Sequence, residues 1–257
     1  MICPRPYDFD RYVEWHNQHV EPGIDLINEL QSLMESLKQN KDRFEKLAQL
    51  LDHLHTVLLR AKQTADHDTS SYKCEILLST QVRTEKYDDV FKSINSIVDK
   101  LWRKNNDASE YVKTTNIKQN IKDLARSSVI LSTHNFANDF SKALPNWRQK
   151  FQINQIPLED YNDISEIKVE QEAKMASGYF AYHADVIYTD GFHVEIQIYS
   201  QLNEVWRGLS HKLYEKTRLL QDVEYGHGTS ASRLVSLGHL LHLAECEAER
   251  LQRELEQ

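Results

Sequence analysis

Residues 178–216 constrain the fold of this chain most, because two alternating strands and a helix are predicted to follow one another there. The segment reads GYFAYHADVIYTDGFHVEIQIYSQLNEVWRGLSHKLYEK. Its Asp190-Gly191 pair is typical of a tight hairpin turn, and side chains alternate between the two faces of a strand. Glu195 and Gln197 therefore share one sheet face. That polar face is either the open surface of a functional site or a solvent-facing strand edge.

Composition indicates an ordinary globular protein. The chain has 257 residues, of which 40% are hydrophobic and 27% charged, enough for one large or two modest domains. No apolar run approaches the ~20 residues that cross a bilayer, and the N-terminus lacks a signal-peptide apolar region. We therefore expect a cytoplasmic protein that does not contact membranes. Three widely spaced cysteines indicate neither a disulfide framework nor a zinc site.

Charge and glycine content narrow the choice of phosphate-binding site. The net charge is −8, which argues against a surface built for duplex nucleic acid. Of the seven glycines, only Gly23 precedes Gly178, so the chain has no glycine-rich phosphate loop. Any phosphate must therefore be bound by side chains and helix ends.

Periodicity predicts helices interspersed with strands, which is typical of an α/β or α+β fold. CEILLSTQV at 74–82 is either a strand or the start of a helix, SSVILS is a buried strand, and IKVEQEAKM at 167–175 is an edge strand or a mobile connector. The helices are predicted over 11–65, 87–104, 135–150, 201–220 and 232–256. We expect an N-terminal helical extension at 1–75, a core at 76–220 and a C-terminal helix at 221–257.

Three residues of the predicted helix 87–104 stand out. Lys92, Ser96 and Lys100 are four apart, a spacing that places them on one helix face. These residues either bind a polyphosphate or form an ordinary solvent-exposed helix face. Asp123 directly precedes the strand SSVILS, where it either holds a metal ion rigidly or caps a helix or turn.

Four segments together resemble the synthetase domain of the RelA/SpoT family, the alarmone pyrophosphokinases. SIVDKLWRK resembles the family's Ser-Ile-x-x-Lys-Leu-x-Arg-Lys helix, and IKDLARSSVIL resembles its Asp-Leu-Ala strand entry. GYFAYH resembles its Gly-Tyr-x-Ser-x-His turn. VEIQIYSQLNEVWRGLSHKLYEK is similar to its Val-Glu-x-Gln-Ile strand and the helix that follows. The resemblance implies a nucleotidyltransferase-like mixed sheet flanked by helices.

The resemblance also implies how the pyrophosphate donor is bound. Asp123 would hold Mg²⁺ bridging the phosphates of ATP, and Glu195 would complete the metal site or take the proton from the acceptor 3′-hydroxyl. Lys92 and Lys100 would meet the ATP phosphates. Such a transfer needs charge neutralisation and positioning more than covalent help.

On the acceptor side, the resemblance implies a second group of residues. Tyr179 would stack on the acceptor base, His183 and Gln197 would line the pocket, and His211 would support it. The expected product is (p)ppGpp, made by moving the β,γ-pyrophosphate of ATP to the 3′-hydroxyl of GDP or GTP.

The chain departs from the family pattern at three cationic positions. Val90 stands where the family has an arginine that helps hold adenine, and Arg83 is the candidate substitute. Ser128 stands at the usual arginine of the strand, while Arg126 lies two residues earlier. Tyr199 replaces a further arginine in the acceptor pocket. Fewer fixed cations would weaken binding of a 5′-di- or triphosphate.

These departures leave alternatives to the guanosine acceptor open. One is a toxic small alarmone synthetase that pyrophosphorylates the tRNA 3′ end or makes adenosine alarmones, with an antitoxin protein as its partner. Another is a catalytically silent nucleotide-binding regulator. A homo-oligomer is also compatible with the resemblance.

Overall fold

The computed structural model describes residues 3–64, 72–174, 179–217 and 226–255. Ten α-helices and five strands make up its regular structure. The helices are α1 Phe9–Trp15, α2 Leu26–Gln39, α3 Lys41–Thr64, α4 Leu77–Gln81, α5 Ile94–Asn105, α6 Ile117–Asn120, α7 His134–Ala143, α8 Trp147–Ile153, α9 Gln201–Thr217 and α10 Ser230–Leu255. The strands are β1 Cys74–Ile76, β2 Ala125–Leu131, β3 Ile164–Lys174, β4 Tyr179–Tyr188 and β5 His193–Ser200.

The five strands form one mixed sheet in the order β1-β2-β5-β4-β3. Only β2 and β5 pair in parallel, and the other neighbours are antiparallel. The predicted hairpin joins β4 to β5, and Gly191 in its turn has a φ of +77°, which favours glycine. The mixed α+β fold with a flanked sheet is confirmed.

The two faces of the sheet differ sharply in polarity. Val194, Ile196 and Ile198 of β5 are fully buried and face the helical layer, where α7 packs on β5 and β4. The alternate residues of β5, including Glu195 and Gln197, lie on the opposite face. Strand pairing brings polar residues of β2, β4 and β3 to that same face, because directly paired residues point the same way.

The N-terminal helices share their core with the sheet. One cluster of buried apolar side chains extends from Tyr12 in α1 through Leu51 in α3 to Val194 in β5. The three-part division at 75/76 and 220/221 stays a prediction, and its second boundary lies outside the described residues. Within the described ranges, no helix combines the length and apolarity that crossing a membrane requires.

The predicted continuous helix over 87–104 is wrong. A 3-10 helix, Glu85–Val90, ends at Phe91, which forms an isolated antiparallel bridge with Ala125. Ser93 then begins α5 as its N-cap by accepting a hydrogen bond from the backbone N–H of Ser96. Lys92 therefore precedes the helix instead of lying on its face with Ser96 and Lys100.

The two ambiguous segments are now assigned. Residues 74–82 contain both predicted alternatives, since the three-residue β1 runs directly into α4. IKVEQEAKM contributes to β3, the edge strand beside β4. Gly178, the predicted turn before β4, lies outside the described residues.

Candidate active site

A patch of ionisable side chains occupies the polar face of the sheet at its centre. In the register of the sheet, Glu195 of β5 lies between Arg126 of β2 and Asp185 of β4. Gln197 is flanked in the same way by Ser128 and His183. Alternation along β5 therefore produced the polar surface predicted from sequence, and neighbouring strands extend it.

Asp123 lies at one end of this patch, in the turn that leads into β2. Its Oδ2 is 2.8 Å from Lys92 Nζ and its Oδ1 is 2.5 Å from Lys100 Nζ. Lys92 is positioned by a 2.9 Å hydrogen bond from its backbone N–H to the carbonyl of Leu124. The break before α5 thus places Lys92 beside the strand, while Lys100 reaches Asp123 from about two turns into the helix.

The electrostatics of Asp123 follow from these two ion pairs. Burial alone would raise the pKa of its carboxyl, but the hydrogen bonds and charges of Lys100 and Lys92 outweigh burial and lower that pKa from 3.8 to about 2. Asp123 is therefore an anion throughout the physiological range, clamped between two ammonium groups.

Glu195 is the second carboxylate of the patch. Its Oε1 is 3.4 Å from His183 Nδ1 and accepts a 2.5 Å hydrogen bond from Gln197 Nε2. Burial and the negative charge of Asp123 each raise the pKa of Glu195, yet the contacts with His183 and Gln197 prevail and lower it. Asp123 precedes β2, which pairs with β5, so the two carboxylates lie on or next to neighbouring strands of the sheet.

A cavity of about 400 Å³ opens beside Glu195 toward β3. Its ionisable lining residues come from the turn before β2 and from strands β3, β4 and β5, and they are Lys122, Lys168, Glu170, Glu172, His183, Asp185 and Glu195. A cavity of this size accepts a small organic ligand. A larger cavity of about 710 Å³, whose lining includes five leucines and three serines, lies between α9 and α10. Its described lining has no carboxylate, so we place the candidate site at Glu195.

Several residues predicted from sequence lie in or beside this patch. Asp123, Lys92 and Lys100 are in contact, as are Glu195, His183 and Gln197. Arg126 is exposed on β2, directly across from Glu195 in the register. The roles assigned to these residues stay predictions.

The described contacts of Asp123 and Glu195 include none of the other predicted residues. Arg83 follows α4 and lines a cleft of about 150 Å³ with Glu45 of α3, and no described contact links it to Asp123. His211 is exposed on α9, one helical turn beyond Arg207. Tyr179 begins β4, but its side chain lies outside the described residues.

The structure adds functional candidates that sequence reasoning missed. Arg207 of α9 hydrogen-bonds the side-chain oxygen of Gln197 and stacks 4.1 Å from the ring centroid of Tyr199. A cation therefore stands near the position where Tyr199 replaces an expected arginine. No pattern in the sequence indicated this contact, because it depends on how α9 packs against β5.

A second carboxylate–histidine pair lies next to Glu195. His193 Nδ1 is 2.6 Å from Asp185 Oδ1, and Lys122 Nζ is 3.0 Å from Asp185 Oδ2. Lys122 directly precedes Asp123, so one turn supplies a residue to each side of the patch. Alternation along the two strands could have indicated Asp185 and His193, since both lie on the Glu195 face.

The two carboxylates of the patch suit a Mg²⁺ ion that is also bound by a substrate. Mg²⁺ prefers oxygen ligands and is usually bound by one or two carboxylates together with substrate phosphates. Asp123 and Glu195 are two such carboxylates, and both pKa values are lowered. The described residues contain no group of three or more side chains that could hold a metal ion by themselves. A metal here would depend on oxygens from a bound polyphosphate.

Comparison with known proteins gives one family match. A model described as the region found in RelA / SpoT proteins matches residues 90–218, half of the chain. The match contains Asp123, Glu195 and most of the polar patch. A search of the curated proteins found no match.

Solved structures share the fold of the chain. The small alarmone synthetase 1 from Bacillus subtilis, bound to its product pppGpp, is 18% identical, with a TM-score of 0.51 over 87% of this chain and 100% of that one. A GTP pyrophosphokinase family protein from Streptococcus pneumoniae is 15% identical, with a TM-score of 0.52 over 86% and 94%. A protein from Streptococcus mutans is 19% identical, with a TM-score of 0.51 over 84% and 96%.

Proposed function

Because the chain belongs to the RelA/SpoT family, we propose that it transfers the β,γ-pyrophosphate of ATP to the ribose 3′-hydroxyl of a guanosine nucleotide, GDP or GTP. The observation that carries this proposal is the paired arrangement of Asp123 and Glu195. The pKa values of both are lowered, they lie on or next to the paired strands β2 and β5, and two lysines bind the first. Two carboxylates beside fixed ammonium groups suit phosphoryl chemistry, where charge neutralisation and positioning dominate.

In this proposal the lysines exchange partners when ATP binds. Lys92 and Lys100 would bind the phosphate oxygens of ATP, and Asp123, released from the lysines, would hold Mg²⁺ together with ATP. Mg²⁺, when bound, neutralises charge on the phosphates. The two ion pairs of Asp123 support this order, since both of its carboxylate oxygens contact ammonium groups.

Glu195 is the proposed general base. The acceptor 3′-oxygen forms a bond to the β-phosphorus as the bond from that phosphorus to the bridging oxygen of AMP breaks. AMP leaves with the bonding electron pair, and the hydroxyl proton passes to Glu195. The lowered pKa of Glu195 keeps it unprotonated before the reaction, and Gln197 and His183 fix its orientation.

A second acceptor class is favoured by one observation. The lysines that line the cavity beside Glu195 are each ion-paired with a carboxylate, which disfavours a highly charged nucleotide. A tRNA 3′ end, whose terminal nucleoside carries no 5′-di- or triphosphate, is therefore the second candidate acceptor, and an adenosine nucleotide stays a further prediction. An antitoxin protein and a homo-oligomer remain predicted partners, while a silent regulator is disfavoured because both carboxylates are present.

The test is incubation with γ-³²P-labelled ATP and Mg²⁺ alongside GDP, GTP, ATP or deacylated tRNA. Label in a guanosine nucleotide supports the proposal, and label in tRNA or an adenosine product supports the second candidate. Transfer to none of these acceptors, with ATP binding intact, contradicts both and favours the regulator.

Matched variants test the assigned residues. We expect Glu195→Gln to reduce transfer by at least about 100-fold, the lower end of the contribution of a general base. Asp123→Asn should abolish detectable transfer. Glu75→Gln on the exposed edge strand and Asp99→Asn in α5 are the controls and should retain activity. Wild-type activity in either site variant contradicts that assignment.

A further inference from the structure

Among the ionisable residues that line the cavity beside Glu195, carboxylates outnumber cations. Four carboxylates line it, together with two lysines and one histidine, and the seven residues are Glu170, Glu172, Asp185, Glu195, Lys122, Lys168 and His183. With the histidine neutral, the carboxylates outnumber the cations by two. A phosphate entering this cavity would meet more negative than positive charge.

The cations that line the cavity already have anionic partners. Lys122 Nζ is 3.0 Å from Asp185 Oδ2, and Lys168 Nζ is 3.2 Å from Glu166 Oε2. An incoming phosphate would therefore compete with these carboxylates for the two ammonium groups.

His183 is engaged on both sides of its ring. Its Nε2 is 2.9 Å from Glu172 Oε2, and its Nδ1 is 3.4 Å from Glu195 Oε1. Like the two lysines, the one histidine of the cavity wall therefore already faces carboxylates.

The β3 wall carries the surplus negative charge. Glu170 pairs with His183 in the sheet register, which places its side chain on the cavity face. No ion pair of Glu170 occurs among the contacts of the described residues. Arg126 lies on the β2 side of Glu195 and does not line the cavity. Its positive charge therefore does not neutralise the negative charge of Glu170.

We propose that the β3 carboxylates Glu170 and Glu172 set the acceptor specificity, so that the acceptor nucleotide with the fewest 5′-phosphates reacts best. This inference rests on the proposed pyrophosphate transfer and names the acceptor subclass. Each added phosphate brings negative charge to a cavity whose cations are already paired, and like charges a few ångströms apart repel strongly near a protein surface. GMP should therefore be preferred to GDP, and GDP to GTP.

The experiment measures kcat and KM for GMP, GDP and GTP with labelled ATP, together with competition of the three nucleotides against a fluorescent guanosine nucleotide. We expect kcat/KM to fall about tenfold for each added phosphate, mainly through KM. The preference should shrink as the salt concentration rises, because salt screens repulsion between exposed charges. Equal or better use of GTP by the wild-type protein overturns the inference.

Charge reversal on β3 supplies the second test. Glu170→Lys should lower the KM for GTP by at least about tenfold and so raise the ratio of kcat/KM for GTP to that for GMP. Glu159→Lys makes the same charge change on an exposed 3-10 helix outside the cavity and should leave the GTP to GMP ratio unchanged. An unchanged ratio in Glu170→Lys, or the same change in both variants, overturns the inference.

Failure of this inference differs from failure of the proposed function. If the wild-type protein transfers pyrophosphate to GTP at least as well as to GMP, the function stands and the specificity assignment falls. If no nucleotide is pyrophosphorylated, the proposed function falls. The competition measurement still decides whether the cavity discriminates against 5′-phosphates, because it does not require transfer.

Discussion

The ion pairs of Asp123 should make this carboxylate a measurable contributor to folding stability. A lowering of its pKa from 3.8 to about 2 corresponds to about 2 kcal/mol, because each pKa unit is equivalent to about 1.36 kcal/mol. The side chain of Asp123 is only 12% exposed, so solvent screening removes little of this. Asp123→Asn should therefore lower the free energy of unfolding by about 2 kcal/mol at pH 7.

The sign of the pH dependence follows from the direction of the shift. Since the folded-state pKa of Asp123 lies below its unfolded value, the stabilisation is fully present above pH 4 and is lost as the pH falls toward 2. The difference in unfolding free energy between wild type and Asp123→Asn should be constant from pH 7 to pH 5. It should shrink only below pH 4.

Two measurements test this. Urea unfolding at pH 7 gives the size of the effect, with Asp42→Asn as the control. Asp42 pairs with Lys46 and its side chain is 71% exposed, and such a surface pair contributes less than about 1 kcal/mol. A ¹³C-carboxyl titration gives the pKa of Asp123 directly. In Lys92→Met/Lys100→Met that pKa should rise above 3.8, because burial then acts alone.

Two results would refute this reasoning. One is a wild-type pKa of Asp123 at or above 3.8. The other is a pKa that does not change in the double lysine variant, which would mean that the lysines do not hold the carboxylate in its ionised form.

Two further substitutions test the fold around the site. Gly191→Ala should destabilise the protein by about 1–2 kcal/mol in urea unfolding, because the turn requires a positive φ. The added Cβ would also lie 2.9 Å from Gln119 Nε2. Gly208→Ala in α9 meets nothing within 4 Å and should raise stability by about 0.5–1 kcal/mol, so a loss in both variants would contradict the turn argument. Burial lowers the pKa of His16, although nearby Glu21 opposes the shift. The melting temperature should therefore fall as the pH drops below 6.5, and His16→Phe should weaken that dependence; equal slopes in both proteins would show that another group is responsible.

Local patterns predicted the features of the site that depend on one strand. Alternation along β5 placed Glu195 and Gln197 on one face, and the Asp190-Gly191 pair indicated the hairpin; the register confirms both. Asp123 was correctly placed before an interior strand. These features depend only on residues close together in the sequence, because side chains alternate between the two faces of a strand.

Features that depend on distant contacts could not be predicted in this way. The break before α5 depends on the bridge between Phe91 and Ala125, which are 34 residues apart in the numbering. Helical spacing suggested that Lys92 shares a face with Lys100, but the two reach Asp123 from a loop and from a helix. The contact of Arg207 with Gln197 likewise depends on how α9 packs against the sheet.

The central claim is that this site moves a pyrophosphate, and the fate of ATP tests it most directly. We would follow ATP consumption by ³¹P NMR with Mg²⁺ and a guanosine nucleotide acceptor. We predict that AMP appears in a one-to-one ratio with a 3′-pyrophosphorylated acceptor, and that Glu195→Gln stops both. Formation of ADP and inorganic phosphate instead, or unchanged AMP release in Glu195→Gln, would contradict the claim.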